Sequence, residues 1–286
     1  MIISHFPGGG GKVGDLPFNE IFQYSGNASF IDDGEGNWRI KFLSSGTLTV
    51  AQDVFVDIFA VGGGGNGAEG YNYASNVSGC SGSGGGGGYT STMKNIKLSK
   101  GAEYTVTVGA ATGASSIIKV GESIAVCEAA GGNSGKRSGF DGATGGDGGS
   151  GGGPGVYSAS SAKGSPGSDG SDGSDTVYSG VTKSAGGKGQ GTTTREFGED
   201  TGDLYGGGGG GGFGGNQASV PGAAGGGGGG ATKTTAAENG AENTGGGGGG
   251  GGYVSTSTTG VTTHHKAGGK GGSGIVIIRN FRAVTA

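Results

Sequence analysis

Four carboxylates within eight residues, Glu196, Glu199, Asp200 and Asp203, form the only dense acidic cluster outside the Gly-Ser-Asp triplets of 168–175. Glycoside hydrolysis needs such a pair, one carboxyl as acid and one as base or nucleophile. An acidic loop accounts for the cluster more simply, and the chain is read as a non-enzyme. His264 and His265 are adjacent, so on a strand they would point to opposite faces, and no Cys or carboxylate cluster accompanies them. They are read as exposed loop histidines, and no metal site is expected. Asp169, Asp172 and Asp175 would line one edge of a three-residue helix, as a weak Ca²⁺ site or, more simply, a solvated acidic edge. Four Gly-Lys pairs, beginning at Gly11, Gly135, Gly187 and Gly269, lack the Ser or Thr that a phosphate-binding loop places next. The GxGxxG matches follow from composition and none opens a helix after a strand, so no cofactor is expected. Cys80 and Cys127 are the only cysteines, and spacing leaves their pairing open.

The elements that would position any site must be built from an unusual composition. Gly supplies 81 of the 286 residues, and Leu, Ile, Val and Phe together only 47. A chain so poor in apolar residues is usually disordered, but disorder also relies on high net charge, and here that charge is −4. With 18 basic residues against 22 acidic ones, no clustered cationic surface is available for nucleic acid. The apolar run 275–278 is far too short for a membrane-spanning helix, and the N-terminus has no basic segment leading into an apolar core. No membrane insertion and no secretory signal are therefore expected.

The apolar residues are concentrated. Residues 128–273 hold 10 of the 47 but 54 of the 81 glycines. Outside that stretch the periodicity is that of strands. Trp38, Ile40 and Phe42 alternate with Arg39 and Lys41, and Tyr104, Val106 and Val108 alternate with Thr105 and Thr107. Residues 54–61 (VFVDIFAV) are apolar on both faces except at Asp57, as in a central strand. Further strands are expected over 46–50, 89–98, 115–120, 123–127 and 275–281, and no helix. The fold class is thus all-β, a β-sandwich framework with an inserted glycine-rich bundle. Residues 38–127 plus 274–284 form the framework, 128–273 the insertion, and 1–37 a docking segment, edge strand or cover.

Within the insertion, Gly recurs every third residue at 139–151, 164–173 and 268–274, and unbroken runs occupy 206–212, 225–230 and 245–252, with 62–65 and 84–88 earlier. Three residues per turn is the polyproline II repeat, which leaves every backbone group free to bond outward. Collagen shares the period but needs abundant Pro and long unbroken triplets, and this chain has 5 prolines. A polyglycine II bundle satisfies the backbone groups, because rods without side chains approach closely enough to bond one another. At about 3.1 Å per residue, an eight-glycine run spans roughly 25 Å.

The series VDIFAVGGGGNG (56–67), GGGGGYTST (84–92), EYTVTVG (103–109), CEAAGGNSG (127–135) and GGSGIVIIR (271–279) resembles the glycine-rich domain of many bacteriophage and prophage tail proteins. Its layout is also similar to the glycine-rich domain of the anaplastic lymphoma kinase family. The resemblance spans about 38–281 and implies a polyglycine II bundle on a β-sandwich. In phage it further implies a tail-fibre-tip adhesin in the virion, assembled in the host cytoplasm. Expected partners are a bacterial surface protein or glycan and other tail or fibre proteins, with a homo-oligomer left open. The larger strand framework departs from T-even-type tip adhesins, so their mode of attachment does not carry over.

Connections at the ends of rigid rods are free to vary, and binding residues commonly sit on such loops. The candidate loops are 69–83, 156–163, 176–184, 192–205, 216–224, 231–244 and 254–267, rich in Tyr, Ser, Thr, Asn and Gly like antibody paratopes. Tyr71, Tyr73, Tyr157, Tyr178 and Tyr205 are the expected receptor anchors, with Arg195 and Phe197 beside them. The alternative function is a structural tail or surface-fibre component whose loops touch only neighbouring subunits.

Overall fold

The structure, a computed structural model, describes residues 21–72, 79–137, 143–155, 194–213, 221–232, 234–256 and 262–282. Its strands are β1 (Phe22–Tyr24), β2 (Ala28–Gly34), β3 (Asn37–Phe42), β4 (Gly46–Val50), β5 (Val54–Val61), β6 (Tyr71–Asn72), β7 (Gly79–Cys80), β8 (Thr90–Leu98), β9 (Glu103–Thr107), β10 (Ser115–Lys119), β11 (Cys127–Ala129), β12 (Tyr253–Thr256), β13 (Thr262–His265) and β14 (Ile275–Asn280). A 3-10 turn spans Glu196–Gly198. No described helix is long and apolar enough to cross a membrane.

Two five-stranded antiparallel sheets, ordered β1-β4-β9-β10-β11 and β2-β3-β14-β5-β8, make the framework. The alternating residues of β3 bury Trp38, Ile40 and Phe42 between the sheets, against Leu48 and Val50 of β4, Tyr104 and Val106 of β9, and Val276 and Ile278 of β14. That apolar layer, excluded from water on both sides, is the main source of framework stability. β14 lies at the centre of its sheet, pairing Val276 with Phe42 on one side and with Ala60 on the other. β1 and β2 are edge strands, so residues 22–34 belong to the framework. The strand expected over 123–127 forms instead at Cys127–Ala129, and Ile124 is 80% exposed.

The glycine runs form a hydrogen-bonded lattice. Gly64, Gly67 and Gly70 donate to the carbonyls of Gly272, Gly269 and Lys266, while Gly65 and Ala68 donate to Gly86 and Ser83. Every third residue returns to the same neighbour, which is the bonding expected of polyglycine II. The 245–252 rod is buried throughout. It donates to Gly65 and Ala68, to Gly207 and Gly210, and to Glu238; it accepts from Gly82, Gly85 and Gly88, from Gly228 and Ala231, and from Lys266, Gly269 and Gly272. It is therefore ringed by the segments 62–70, 81–88, 206–213, 222–231, 238–241 and 266–274. The 81–88 rod is ringed in the same way by 62–70, 130–135, 143–149, 150–155, 206–213 and 245–252. The interior backbone groups pair from rod to rod without a sheet, which meets the demand that burial makes of them. A Cβ on Gly248 would overlap the Gly269 carbonyl, and one on Gly85 the Gly65 carbonyl. Gly206 (φ 64°) and Gly245 (φ 72°) turn the chain into two of these rods in the left-handed region that Gly adopts at little cost.

The lattice grows directly out of the sandwich. β5 runs on into the 62–70 rod, the 81–88 rod leads into β8, and the 266–274 rod leads into β14. Two rods thus come from residues 62–88, inside the stretch that composition assigns to the framework, and the two parts share strands that continue as rods.

Candidate functional site

The rods have a near end at the sandwich and a far end. At the far end the two-residue pair β6–β7 stands beside the β12–β13 hairpin. Rods 62–70, 81–88, 206–213 and 245–252 each have one terminus at this end, at residues 70, 81, 213 and 252. Tyr71 lies in β6, paired with Cys80. His264 and His265 lie in β13, opposite Val254 and Tyr253, rather than in a loop. Tyr73, Tyr157, Tyr178 and the triplet aspartates Asp169, Asp172 and Asp175 fall outside the described residues. Part of the expected loop 231–244 is itself lattice, because Glu238 and Ala241 donate to the carbonyls of Gly229 and Gly226.

Segment 194–205 lies elsewhere, folded over the outer face of the β2-β3-β14-β5-β8 sheet. A narrow turn forms it: Glu196 N–H donates to the Asp203 carbonyl and Tyr205 N–H to the Thr194 carbonyl. Phe197 and Tyr205 are 2% and 5% exposed, with their rings against Phe59 and with Val61, Ile275 and Ile277 completing the cluster. Both rings expected as receptor contacts therefore fill an apolar layer on the framework, rather than standing exposed at the far end of the rods. Arg195 is half-buried and donates from Nη1 to the Gly202 carbonyl at 3.0 Å, bracing the turn.

The acidic cluster is likewise no free loop. Strand register aligns Arg39 with Arg279, and Arg279 with Asp57, across the outer face of β3, β14 and β5. Glu196, 2% exposed, accepts from Arg39 Nη1 at 2.5 Å and meets Lys41 Nζ at 3.2 Å. Tyr205 Oη donates to Glu196 Oε2, and Lys41 Nζ donates to Tyr205 Oη at 3.0 Å. Arg279 donates from Nε to Asp57 at 3.0 Å and from Nη2 to Glu199 at 2.6 Å, with its guanidinium 4.1 Å from the centre of the Phe197 ring. Asp57 completes its bonding by accepting from Asn95 N–H. Asp33 takes a two-pronged bond from Arg39 and another from Arg282.

These partners shift titration. The hydrogen bond from Arg279 holds Glu199 below the usual carboxylate range, against the opposing effect of burial. Burial alone would raise Asp33, but the bonds from Arg39 and Arg282 outweigh it and hold this carboxyl low as well. Burial pushes the Tyr205 phenol up to about 12. Between segment and sheet lies a polar pocket of about 320 Å³, bounded by Asp33, Arg39, Glu199, Thr201, Arg279 and Arg282 among others.

Arg39, Lys41, Asp57 and Arg279 were not singled out by sequence reasoning as a cluster. Their signal was a charge interrupting otherwise apolar central strands, at Asp57 in VFVDIFAV and Arg279 in IVIIRN. Among the described residues no group of three His, Cys, Asp or Glu side chains could hold a metal ion. Cys127 is a buried free thiol whose Sγ lies 3.6 Å from Ser91 Oγ.

Among known proteins, a family model described as a glycine-rich domain matches residues 43–280. No curated protein matches the chain.

Proposed function

The chain belongs to the glycine-rich domain family, and from that premise we propose that it is a bacteriophage tail receptor-binding protein. In this reading the rods are a rigid mount, and the connections at their far end recognise a bacterial surface protein or glycan. The observation that carries the reading is the hydrogen-bonded lattice with its rod ends collected on one side, away from the sandwich. A scaffold whose interior admits only glycine and a few small side chains such as Ser83 and Ala231 concentrates sequence freedom at its ends, which is how recognition loops are commonly mounted. The resemblance of the motif series to phage tail proteins supports the same setting, and the Tyr, Ser, Thr, Asn and Gly of loops 69–83, 156–163 and 176–184 suit adaptable recognition.

A binding role is favoured over catalysis. Asp33 and Glu199 are held low by arginines, whereas a glycosidase acid needs a raised value. Labelled full-length protein incubated with a panel of intact bacteria, some treated with protease or periodate, tests the proposal. Saturable binding to a narrow set of strains is expected, with one treatment abolishing it. Tyr71→Ala and Tyr157→Ala should weaken binding without lowering thermal stability. Absence of binding to every strain by folded protein would replace this reading with a structural tail component.

A further inference from the structure

The pocket beneath segment 194–205 has a chemistry of its own. Its guanidinium groups already meet carboxylates: Arg39 with Asp33 and Glu196, Arg279 with Asp57 and Glu199, and Arg282 with Asp33. An added anion or cation would have to break one of these pairs, so charge balance favours an uncharged ligand. Hydrogen-bonding capacity nevertheless remains. Arg282 Nε is buried with no acceptor, and Glu199, 43% exposed, has acceptor capacity beyond its bond from Arg279. Thr201, exposed at the rim, adds a hydroxyl that both donates and accepts. A buried donor without a partner is costly, and a ligand acceptor placed there relieves that cost.

Two rungs along the sheet from the Arg279–Asp57 pair stand two large apolar side chains that are exposed among the described residues, Phe55 at 50% and Phe281 at 40%. Strand alternation puts Phe55 on the same outer face as Asp57, the partner of Arg279. Phe281 lies between the pocket arginines Arg279 and Arg282 in sequence, and its N–H donates to the Phe55 carbonyl at 3.0 Å. Two exposed rings joined in this way are an unusual surface feature. Their negatively polarised faces suit the C–H edges of a pyranose ring, while the pocket offers donors and acceptors to its hydroxyls.

We propose that this pocket, of about 320 Å³, and the Phe55–Phe281 surface two strand rungs along together bind a neutral saccharide, with an apolar sugar face on Phe55 and Phe281 and hydroxyls on Arg282 Nε, Glu199 and Thr201. The volume is at the small end of ligand sites, about 300 to 1,000 Å³. The site is on the framework and needs nothing from the far end of the rods, so it stands or falls separately from the receptor-binding reading.

The test is saturation-transfer NMR and calorimetry on the full chain with methyl glycosides of glucose, galactose, mannose and N-acetylglucosamine, and with glucuronic acid as the charged comparison. At least one neutral sugar should bind saturably, with the strongest transfer at its ring C–H protons. Phe55→Ala, Phe281→Ala and Arg282→Lys should each weaken that binding about tenfold or more, and the two Phe variants should do so at unchanged thermal stability. Tyr71→Ala should leave it unchanged. The proposal is overturned if no neutral sugar binds folded protein, if only glucuronic acid binds, or if binding survives all three pocket variants.

Discussion

Glu196→Gln would leave Arg39 Nη1 and Lys41 facing a neutral amide at a position only 2% exposed. Arg39 keeps Asp33 and Lys41 keeps Asp203, so the loss is smaller than for an isolated buried pair. About 2 to 3 kcal/mol is expected, measured by urea denaturation. Arg279→Met removes the buried partner of Asp57, 1% exposed, and should cost more, about 3 to 5 kcal/mol. Protonation acts on the same network. Asp33 and Glu199 titrate lower in the folded protein than in the unfolded chain, so their contribution is complete above the ordinary carboxylate values near 4. It is lost as pH falls through their folded values. Thermal melts from pH 7 to pH 2 should show this decline, and Glu199→Gln should make it shallower. Tyr205 works in the opposite direction. Its folded value of about 12 is raised, so its contribution is complete below the unfolded value near 10 and disappears between there and the folded value.

At the scale of elements, the sheets and rods impose opposite demands on a side chain. In β3 a change from Ile40 to Ala would leave a cavity, whereas at 246–251 of the central rod an added Cβ collides with a neighbouring carbonyl. Gly248→Ala should cost more than about 3 kcal/mol by overpacking. Gly121→Ala, at a turn with φ 89° and open space around it, should cost only about 1 to 2 kcal/mol from backbone strain. Denaturation of the two variants side by side checks the contrast. Most strands were legible because a period of two is local, and the rods because unbroken Gly and a period of three have few other uses. Segment 238–241 was harder to see. Its only glycine, Gly240, is buried against Gly246 and Gly272, while Glu238 and Asn239 accept from the Gly229 and Lys270 N–H groups through their side chains, so a single glycine carries the rod signal. The fold-back of 194–205 was illegible for a different reason. Arg39 and Glu196 are 157 residues apart, and only the register of β3, β14 and β5 shows that four charges on three strands share one face.

For the whole molecule, continuity between strand and rod decides whether recognition at the far end can work. Because β5, β8 and β14 run into the lattice, a force on the far connections is transmitted to the sandwich core through backbone hydrogen bonds rather than through a hinge. The lattice must overcome an ordering cost of about 1 to 2 kcal/mol per residue, and Gly carries the largest share of that cost. Bonds shared among neighbouring rods, together with close packing, are what offset it. Hydrogen exchange, followed segment by segment at neutral pH, tests this most directly. Amides of 82–88 and 245–252 should be protected to the same degree as those of β5 and β14, since opening an interior rod requires its neighbours to separate. Exchange of those glycine amides at random-coil rates, with β5 and β14 still protected, would contradict the rigid lattice and remove the mount on which the proposed recognition depends.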